Sequence, residues 1–253
     1  MGLMSIDMNS DLGESFGVWR MGDDASVLAF VSSANVACGY HAGDPSTMRH
    51  TVELCARAGV SIGAHVSYPD LIGFGRRNMA CTPDEVYDYC LYQIGALSAF
   101  CRAQGVGLRH VKPHGALYNQ AAKDEKLAEA AARAVKDAGD GIILVGLAGS
   151  KLAAAARDAG VKFASEAFAD RAYLKDGSLM PRSRSGAVIH DAEIAARRAV
   201  QIATTGTITA DDGTDIRLEP DTICLHGDTE EAVRMAAAVK RALDLAGVEV
   251  RPL

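Results

Sequence analysis

Residues 110–119 read HVKPHGALYN and connect a β-favouring run at residues 108–112 to a helical pattern through a turn at Pro113 and Gly115. Three other histidines also follow small or apolar runs and precede turn-forming residues: His41 in NVACGYHAGDP, His65 in IGAHVSYPDLIGFGRR and His226 in TICLHGD. The carboxyl ends of parallel strands meet at one end of a sheet or barrel, where α/β proteins build their active sites. The repetition therefore predicts an enzyme.

Strand and helix patterns alternate along the whole chain, which is typical of parallel strands with right-handed crossovers. The predicted strands are residues 6–9, 34–37, 61–64, 108–112, 142–145, 162–165 and 222–225. The predicted helices are residues 24–32, 45–58, 83–104, 121–138, 150–159, 191–204 and 230–246. Seven strand–helix units indicate an α/β protein with a seven-stranded (β/α) barrel, and an open doubly wound sheet is the alternative.

Two segments interrupt the alternation and carry Asp-Gly turn signals. Residues 171–185 and 206–217 each fit a small hairpin or an ordered loop over the strand ends. The sequence has no linker and no internal repeat. We therefore predict a single domain over residues 1–253.

The bulk composition excludes several classes of function. Of the 253 residues, 49% are apolar and 23% charged, and the formal net charge is −6. Because there is no basic run, nucleic acid and anionic membranes are poor partners. The six cysteines form no CxxC pair, so we expect reduced, mostly buried thiols. With no signal-peptide pattern and no membrane-length apolar run, we expect a cytoplasmic protein.

Polar residues alternate on the first predicted strand. In DMNSDLGES, Asp7, Asn9 and Asp11 stand at every second position, which would direct all three into the barrel interior. Glu14 follows on the loop. Ionised carboxylates inside a barrel are costly unless they are paired or bound to a cation, so this stretch predicts a site.

The later strand ends carry further candidates. Asp44 precedes a helix and fits an N-cap, whereas His41 has room for a ligand between Gly39 and Gly43. Paired arginines on a glycine loop suit a carboxylate or phosphate. A lysine that ends a buried strand is expensive unless it faces a charge. These candidates, with the acids and bases after the later strands, are His65, Asp70, Arg76, Arg77, Lys112, His114, Tyr118, Glu166, Asp170, Arg182 and His226.

Histidines and carboxylates together leave two kinds of chemistry open. Asp11, His41 and His65 could hold a divalent metal that activates water. The alternative is metal-free acid–base catalysis by an Asp–His pair. The sequence contains no HExxH motif and no GxxxxGK[ST] nucleotide loop. Contiguous motifs therefore do not separate the two.

Six motifs in order along the chain resemble the LamB/YcsF family: DMNSDLGESFG, NVACGYHAGDP, GAHVSYPDLIGFGRR, HVKPHGALYN, SEAFADRAY with the following LMPR, and CLHGD. The resemblance implies a barrel of the glycoside hydrolase/deacetylase type. It also implies ATP-driven opening of the 5-oxoproline (pyroglutamate) lactam to L-glutamate, with ATP as co-substrate and with partner subunits B and C. In the wider deacetylase-like superfamily an aspartate and two histidines bind a metal, and the matching residues here are Asp11, His41 and His65.

The chemistry of the residues and the resemblance together give each candidate a role. We expect subunits B and C to activate the lactam and this chain to receive the intermediate. The predicted catalytic residues are Asp11, His41, Lys112, His114 and Glu166. The predicted substrate contacts are Asn9, Glu14, Asp70, Arg76, Arg77, Tyr118, Asp170, Arg182 and His226.

Two other functions remain as alternatives. One is a metal-dependent carbohydrate deacetylase, which would act without partners. The other is a non-catalytic carbohydrate-binding or regulatory protein, against which the convergence of acids and histidines on one barrel end argues.

Overall fold

The computed structural model describes residues 4–225 and 230–253, and within them seven parallel strands close a barrel. The barrel strands are β1 (Met4–Leu12), β2 (Ser33–Ala37), β3 (Ser61–Val66), β4 (Leu108–Pro113), β5 (Ile143–Leu147), β6 (Lys162–Phe168) and β9 (Thr222–Leu225). The ring closes because β9 pairs with β1, with Asp7 opposite Thr222. The seven-stranded (β/α) barrel is thus confirmed, and the open doubly wound sheet is wrong.

In the part of the chain that the structure describes, three short strands lie outside the barrel ring. Strands β7 (Thr207–Thr209) and β8 (Asp215–Arg217) form an antiparallel hairpin, as one of the two alternatives for residues 206–217 predicted. The other interrupting segment, residues 171–185, is an extended loop whose isolated bridges include Tyr173 with Leu179. Strand β10 (Val248–Val250) pairs with the start of β1.

Helices connect the strands and cover the outside of the barrel. They are α1 (Asp24–Val27), α2 (Pro45–Ala58), α3 (Pro83–Ala103), α4 (Gly115–Ala121), α5 (Glu125–Ala138), α6 (Lys151–Asp158), α7 (Ala192–Thr205) and α8 (Glu230–Leu245).

Two of the predicted helix boundaries are wrong for local reasons. The predicted helix at residues 121–138 is two helices, because the Asp124 carboxylate accepts hydrogen bonds from the Lys126 and Leu127 amides and starts α5 anew. The predicted helix at residues 24–32 ends at Val27. Five residues later, the Ser32 hydroxyl donates a hydrogen bond to Asp7 Oδ1 of β1 at 2.7 Å, immediately before β2 begins.

Capping residues set the starts of the long helices α2 and α3. Thr82 and Glu85 form a reciprocal capping box at the start of α3. The Asp44 carboxylate accepts from the amides of Ser46 and Thr47 at the start of α2. Asp44 is therefore a helix cap.

Side chains of opposite character line the two faces of the barrel wall. On β1, the buried Asp7, Asn9 and Asp11 alternate with Met8 and Leu12, which belong to the main hydrophobic core. The apolar core therefore packs between the strands and the helices, while polar side chains fill the interior. This division positions the site.

The cysteines match the expectation of free, mostly buried thiols. All six cysteines are free, and burial raises the pKa of Cys90 to about 12. In the described ranges, none of the helices has both the length and the apolar character needed to cross a membrane.

Candidate active site

The polar candidates gather at the carboxyl end of the barrel. Asp11 lies near the end of β1, His65 near the end of β3, and Lys112 in β4 opposite His65. His114 follows β4 directly, and Glu166 lies in β6. All five side chains are buried. Direct contacts between their side chains join all five, which confirms that distant strand ends deliver them to one place.

A cluster of three histidines and one glutamate lies at this end. Ligand atoms of Glu14, His41, His65 and His114 all lie within 4.8 Å of one another. The rings of His41 and His114 stack with their centroids 3.8 Å apart, and His65 stands perpendicular to both. His41 Nε2 lies 3.3 Å from Glu14 Oε1.

Backbone carbonyls fix the tautomers of two of these histidines. His65 Nδ1 lies 3.0 Å from the Lys112 carbonyl oxygen, and His114 Nε2 lies 2.9 Å from that of Phe74. Because a carbonyl only accepts, both of these nitrogens carry hydrogen. The other nitrogens, His65 Nε2 and His114 Nδ1, face each other at 2.9 Å. Two lone pairs at this distance repel, and a cation bound to both would relieve that repulsion.

The surroundings of this point suit a divalent cation. Asp11 Oδ2 lies 3.2 Å from His65 Nε2, so a second carboxylate borders the cluster. Burial, reinforced by neighbouring histidines, holds the pKa of His41 and of His114 well below the usual value, which leaves their lone pairs available. Imidazole and carboxylate donors together are typical ligands of Zn²⁺ and related metals. The donor set therefore fits a metal, and the buried Glu–His cluster could bind one.

The predicted ligand set differs in part from the observed cluster. His41 and His65 belong to it, together with Glu14 and His114. The Asp11 carboxylate lies beside it, and its Oδ1 accepts from Lys112 Nζ at 3.0 Å and from Asn35 Nδ2 at 2.9 Å. Asp11 thus links the cluster to the lysine.

Lys112 is a buried cation between two carboxylates. Its Nζ lies 2.8 Å from Glu166 Oε1 and 3.0 Å from Asp11 Oδ1, and it also donates to Asn9 Oδ1 and Cys224 Sγ. Burial alone would lower the pKa of Lys112, but the negative charges around it outweigh burial and raise it well above the usual value. The prediction that this strand-end lysine faces a charge is confirmed.

A hydrogen-bonded chain beneath Lys112 orients it and Asp11. His110 Nε2 donates to Asn35 Oδ1 at 2.7 Å, so the Asn35 amide must direct its Nδ2 toward Asn9 and Asp11. Burial lowers the pKa of His110 to about 3, and the ring is therefore neutral. Gly63 makes room for that ring, because a Cβ there would overlap it.

Sequence reasoning did not assign roles to Asn35, Gly63 or Cys224. The available signal was their position, since each stands on a predicted strand. Without strand register, one polar residue among apolar neighbours does not show which side chain it meets.

A cavity of ≈ 420 Å³ opens over these groups. This volume suits a small molecule. Asp11, Glu14, His65, Lys112 and His114 contribute to its polar floor, and the predicted contacts Tyr118, Arg76 and Arg182 also line it. The remaining wall includes Phe168, Arg171, Leu179, Met180 and Pro181.

The other predicted contacts lie in different places. Arg77 pairs with Asp70, lowers the pKa of that carboxyl and keeps its own side chain 65% exposed, and neither residue lines the cavity. Asp170 is buried after β6. His226 lies outside the described residues.

Comparisons with known proteins agree with the geometry. The model of the LamB/YcsF family matches residues 6–253. The chain is 54% identical over 247 residues to the 5-oxoprolinase A subunit of Syntrophobacter fumaroxidans, covering 98% of both chains. It is 50% identical over 248 residues to the Bacillus subtilis protein of the same name, covering 98% of this chain and 96% of that one.

A solved structure extends the similarity to three dimensions. The lactam utilization protein from Thermus thermophilus superposes with a TM-score of 0.94 at 49% identity, over 99% of this chain and 100% of that one. A solved structure from Enterococcus faecalis shares the fold, with a TM-score of 0.57 at 12% identity over 97% of this chain and 96% of that one. The matching motifs, the closed barrel and the full-length relatives show that this chain belongs to the LamB/YcsF family.

Proposed function

We propose that this chain is the A subunit of an ATP-dependent 5-oxoprolinase and that it opens the 5-oxoproline lactam to L-glutamate together with subunits B and C. The relatives named as 5-oxoprolinase A subunits, which are at least 50% identical over nearly the full length, support the assignment. Because those relatives are named as subunits, they also support a complex. Since the reaction consumes ATP, we place it in the cytoplasm.

The observation that carries the proposal is that two groups of polar residues lie side by side on one cavity floor. The Asp11–Lys112–Glu166 ion-pair network and the Glu14–histidine cluster meet at the Asp11 carboxylate. A five-membered lactam is a stable amide, so opening it requires both an activated carbonyl and an activated water. The two groups supply residues for both requirements.

Activation by ATP makes the carbonyl carbon reactive. Phosphorylation of the lactam oxygen, which we assign to subunits B and C, leaves an electrophilic carbon in the ring. Addition of one water and cleavage of the ring carbon–nitrogen bond gives an acyl phosphate. A second water then releases phosphate and leaves glutamate, so each turnover converts one lactam, one ATP and two waters to glutamate, ADP and phosphate.

The described residues divide this work. Asp11 is the proposed base, because only its Oδ1 is held by Lys112 and its Oδ2 faces the histidines. Lys112 stabilises negative charge on the former carbonyl oxygen and on the phosphate, whereas His114, whose Nε2 hydrogen is held by the Phe74 carbonyl, offers its Nδ1 lone pair to a metal. Glu166 holds Lys112 in place. His41, which does not line the cavity, orients Glu14 and His114.

The candidate metal site lies within the same groups. Glu14, His41, His65 and His114, with Asp11 alongside, would hold a divalent cation, which supplies Lewis-acid activation when bound. Arg76 and Arg182 line the same cavity and are proposed to contact the charged groups of the activated substrate.

Reconstitution tests the proposed function. Glutamate release from 5-oxoproline and ATP is measured for the chain alone, for subunits B and C alone, and for all three. We expect release only from the full mixture. Hydrolysis of N-acetylated sugars by the chain alone, with no glutamate from the full mixture, would support the deacetylase function and overturn this one.

A further inference from the structure

One buried arginine of the cavity wall has no role in the chemistry described above. Arg171 lies in the segment after β6, is 6% exposed and lines the cavity. Its Nε donates to the Ala187 carbonyl at 3.2 Å and its Nη2 to the Met180 carbonyl at 2.8 Å. These two bonds fix the plane of the guanidinium group. Within the described part of the chain, its Nη1 donates no hydrogen bond.

The charge of this guanidinium is poorly compensated. In the described ranges, its hydrogen bonds go to carbonyl oxygens and none goes to a carboxylate. Burial and the neighbouring Arg182 and Arg76 lower the pKa of Arg171 to about 10, against the opposite influence of Asp170 and Tyr173. The group is still charged near neutral pH. A buried cation among other cations is costly until an anion joins it.

Lys112 is also a buried cation of the cavity, but its charge is compensated by carboxylates. Lys112 contacts the carboxylates of both Asp11 and Glu166, so its charge is already balanced. An anionic substrate therefore gains more from Arg171 than from Lys112. The cavity thus has a balanced floor, suited to chemistry, and a cationic wall, suited to binding.

We propose that Arg171 is the anchor for the carboxylate of 5-oxoproline and so determines specificity for lactams that carry an acid group. The inference rests on the proposed function, because it names how that substrate is held. A guanidinium held flat by two carbonyls presents its remaining N–H groups in the fork geometry that matches a carboxylate. With the acid group on this wall, the lactam carbonyl can face Lys112 on the floor.

A second arginine shows what a purely structural role looks like. Arg198, from α7, donates to the carbonyls of Ala169, Thr209 and Arg171 and does not line the cavity. It is therefore the matched control. If Arg171 served only to tie loops together, substitutions at the two arginines would have the same kind of effect.

The test compares two lactams in the complete complex. 5-Oxoproline carries the carboxylate, and 2-pyrrolidinone is the same ring without it. We expect Arg171→Met to raise KM for 5-oxoproline about 100-fold, the usual cost when a buried recognition pair is lost. The inhibition constant of 2-pyrrolidinone should stay within about threefold, because that ring never contacts the guanidinium.

Two further variants keep the test decisive. Arg171→Lys retains the charge but not the fork, and we expect it to raise KM about tenfold with kcat nearly unchanged. Arg198→Lys should lower the melting temperature and leave the ratio of the two lactam constants as in the wild type. If Arg171→Met fails to fold, Arg171→Lys decides alone.

The outcomes separate the anchor from the proposed function. If the wild-type complex does not convert 5-oxoproline, the proposed function fails, and calorimetric binding of the two lactams to the variants then judges the anchor. Equal loss of affinity for both lactams, or an unchanged KM in Arg171→Lys, would overturn the inference.

Discussion

The substitution Gly63→Ala tests whether the buried chain below Lys112 is as tightly packed as the structure indicates. A Cβ on Gly63 would come within 2.5 Å of the Nε2, Cδ2 and Cε1 atoms of His110. The His110 ring has no free space, since it is 1% exposed and its Nε2 bonds to Asn35. The ring must therefore move, and the Asn35 hydrogen bond breaks with it.

The expected loss of stability follows from two contributions. Overpacking of a filled core costs about 1–3 kcal/mol. A buried polar group that loses its partner costs about 1–3 kcal/mol more. Together they predict a free energy of unfolding about 2–6 kcal/mol lower, and hence a melting temperature lower by roughly 10 °C for a chain of this length. Activity of the complex should fall about 100-fold, because Asp11 and Lys112 lose their fixed orientation.

Thermal melting and urea unfolding measure the first effect, and glutamate release the second. Gly95→Ala is the matched control, because Gly95 lies in α3 and a Cβ there meets no atom within 4 Å. It should stabilise the chain by about 0.5–1 kcal/mol. The double variant Gly63→Ala/His110→Ala should lose less stability than the two single losses added together. A Gly63→Ala chain that melts like the wild type would refute the packing argument.

Three other perturbations have expected outcomes. Lys112→Met removes the cation that the buried carboxylates of Asp11 and Glu166 share, so the free energy of unfolding should fall by about 3–5 kcal/mol in urea titrations; an unchanged midpoint would contradict the ion-pair network. The pKa of His110 is about 3 in the folded chain against 6.5 in the unfolded chain, so the folded chain binds fewer protons. The contribution of His110 to the free energy of unfolding is therefore full above pH 6.5 and falls by about 1.4 kcal/mol per pH unit as the pH drops toward 3. His110→Gln should flatten this part of the stability–pH curve, and an equal slope in both proteins would contradict the pKa difference. Co²⁺ should bind the wild-type chain and give a ligand-field spectrum that chelators abolish, and His114→Ala should weaken binding at least tenfold; equal binding would remove His114 from the proposed ligands.

Much of the fold could be predicted because its signals are local. The alternation of apolar strands with helical patterns predicted seven strand–helix units, and α3 begins at Pro83 as predicted. The alternation of Asp7, Asn9 and Asp11 predicted a polar interior, which burial confirms. The break at Asp124 was missed because a cap inside a continuous helical pattern resembles an ordinary helical residue.

The sequence predicted which residues gather at the site better than it predicted which of them contact each other. The strand-end rule placed His65, Lys112 and His114 together, since it depends only on strand direction. Which group each one meets depends on register and loop path. Arg77 therefore looked equivalent to Arg76 in the sequence, whereas the structure pairs it with Asp70 away from the cavity.

Glutamate release by a complex assembled with the His114→Ala chain tests the central claim most directly, because it asks whether the chemistry takes place at this end of the barrel. Assembly with subunits B and C is checked by size-exclusion chromatography, and release from 5-oxoproline and ATP is compared with that of the wild-type complex. Our account predicts normal assembly with glutamate release reduced at least 100-fold. Full release from the assembled variant would contradict it.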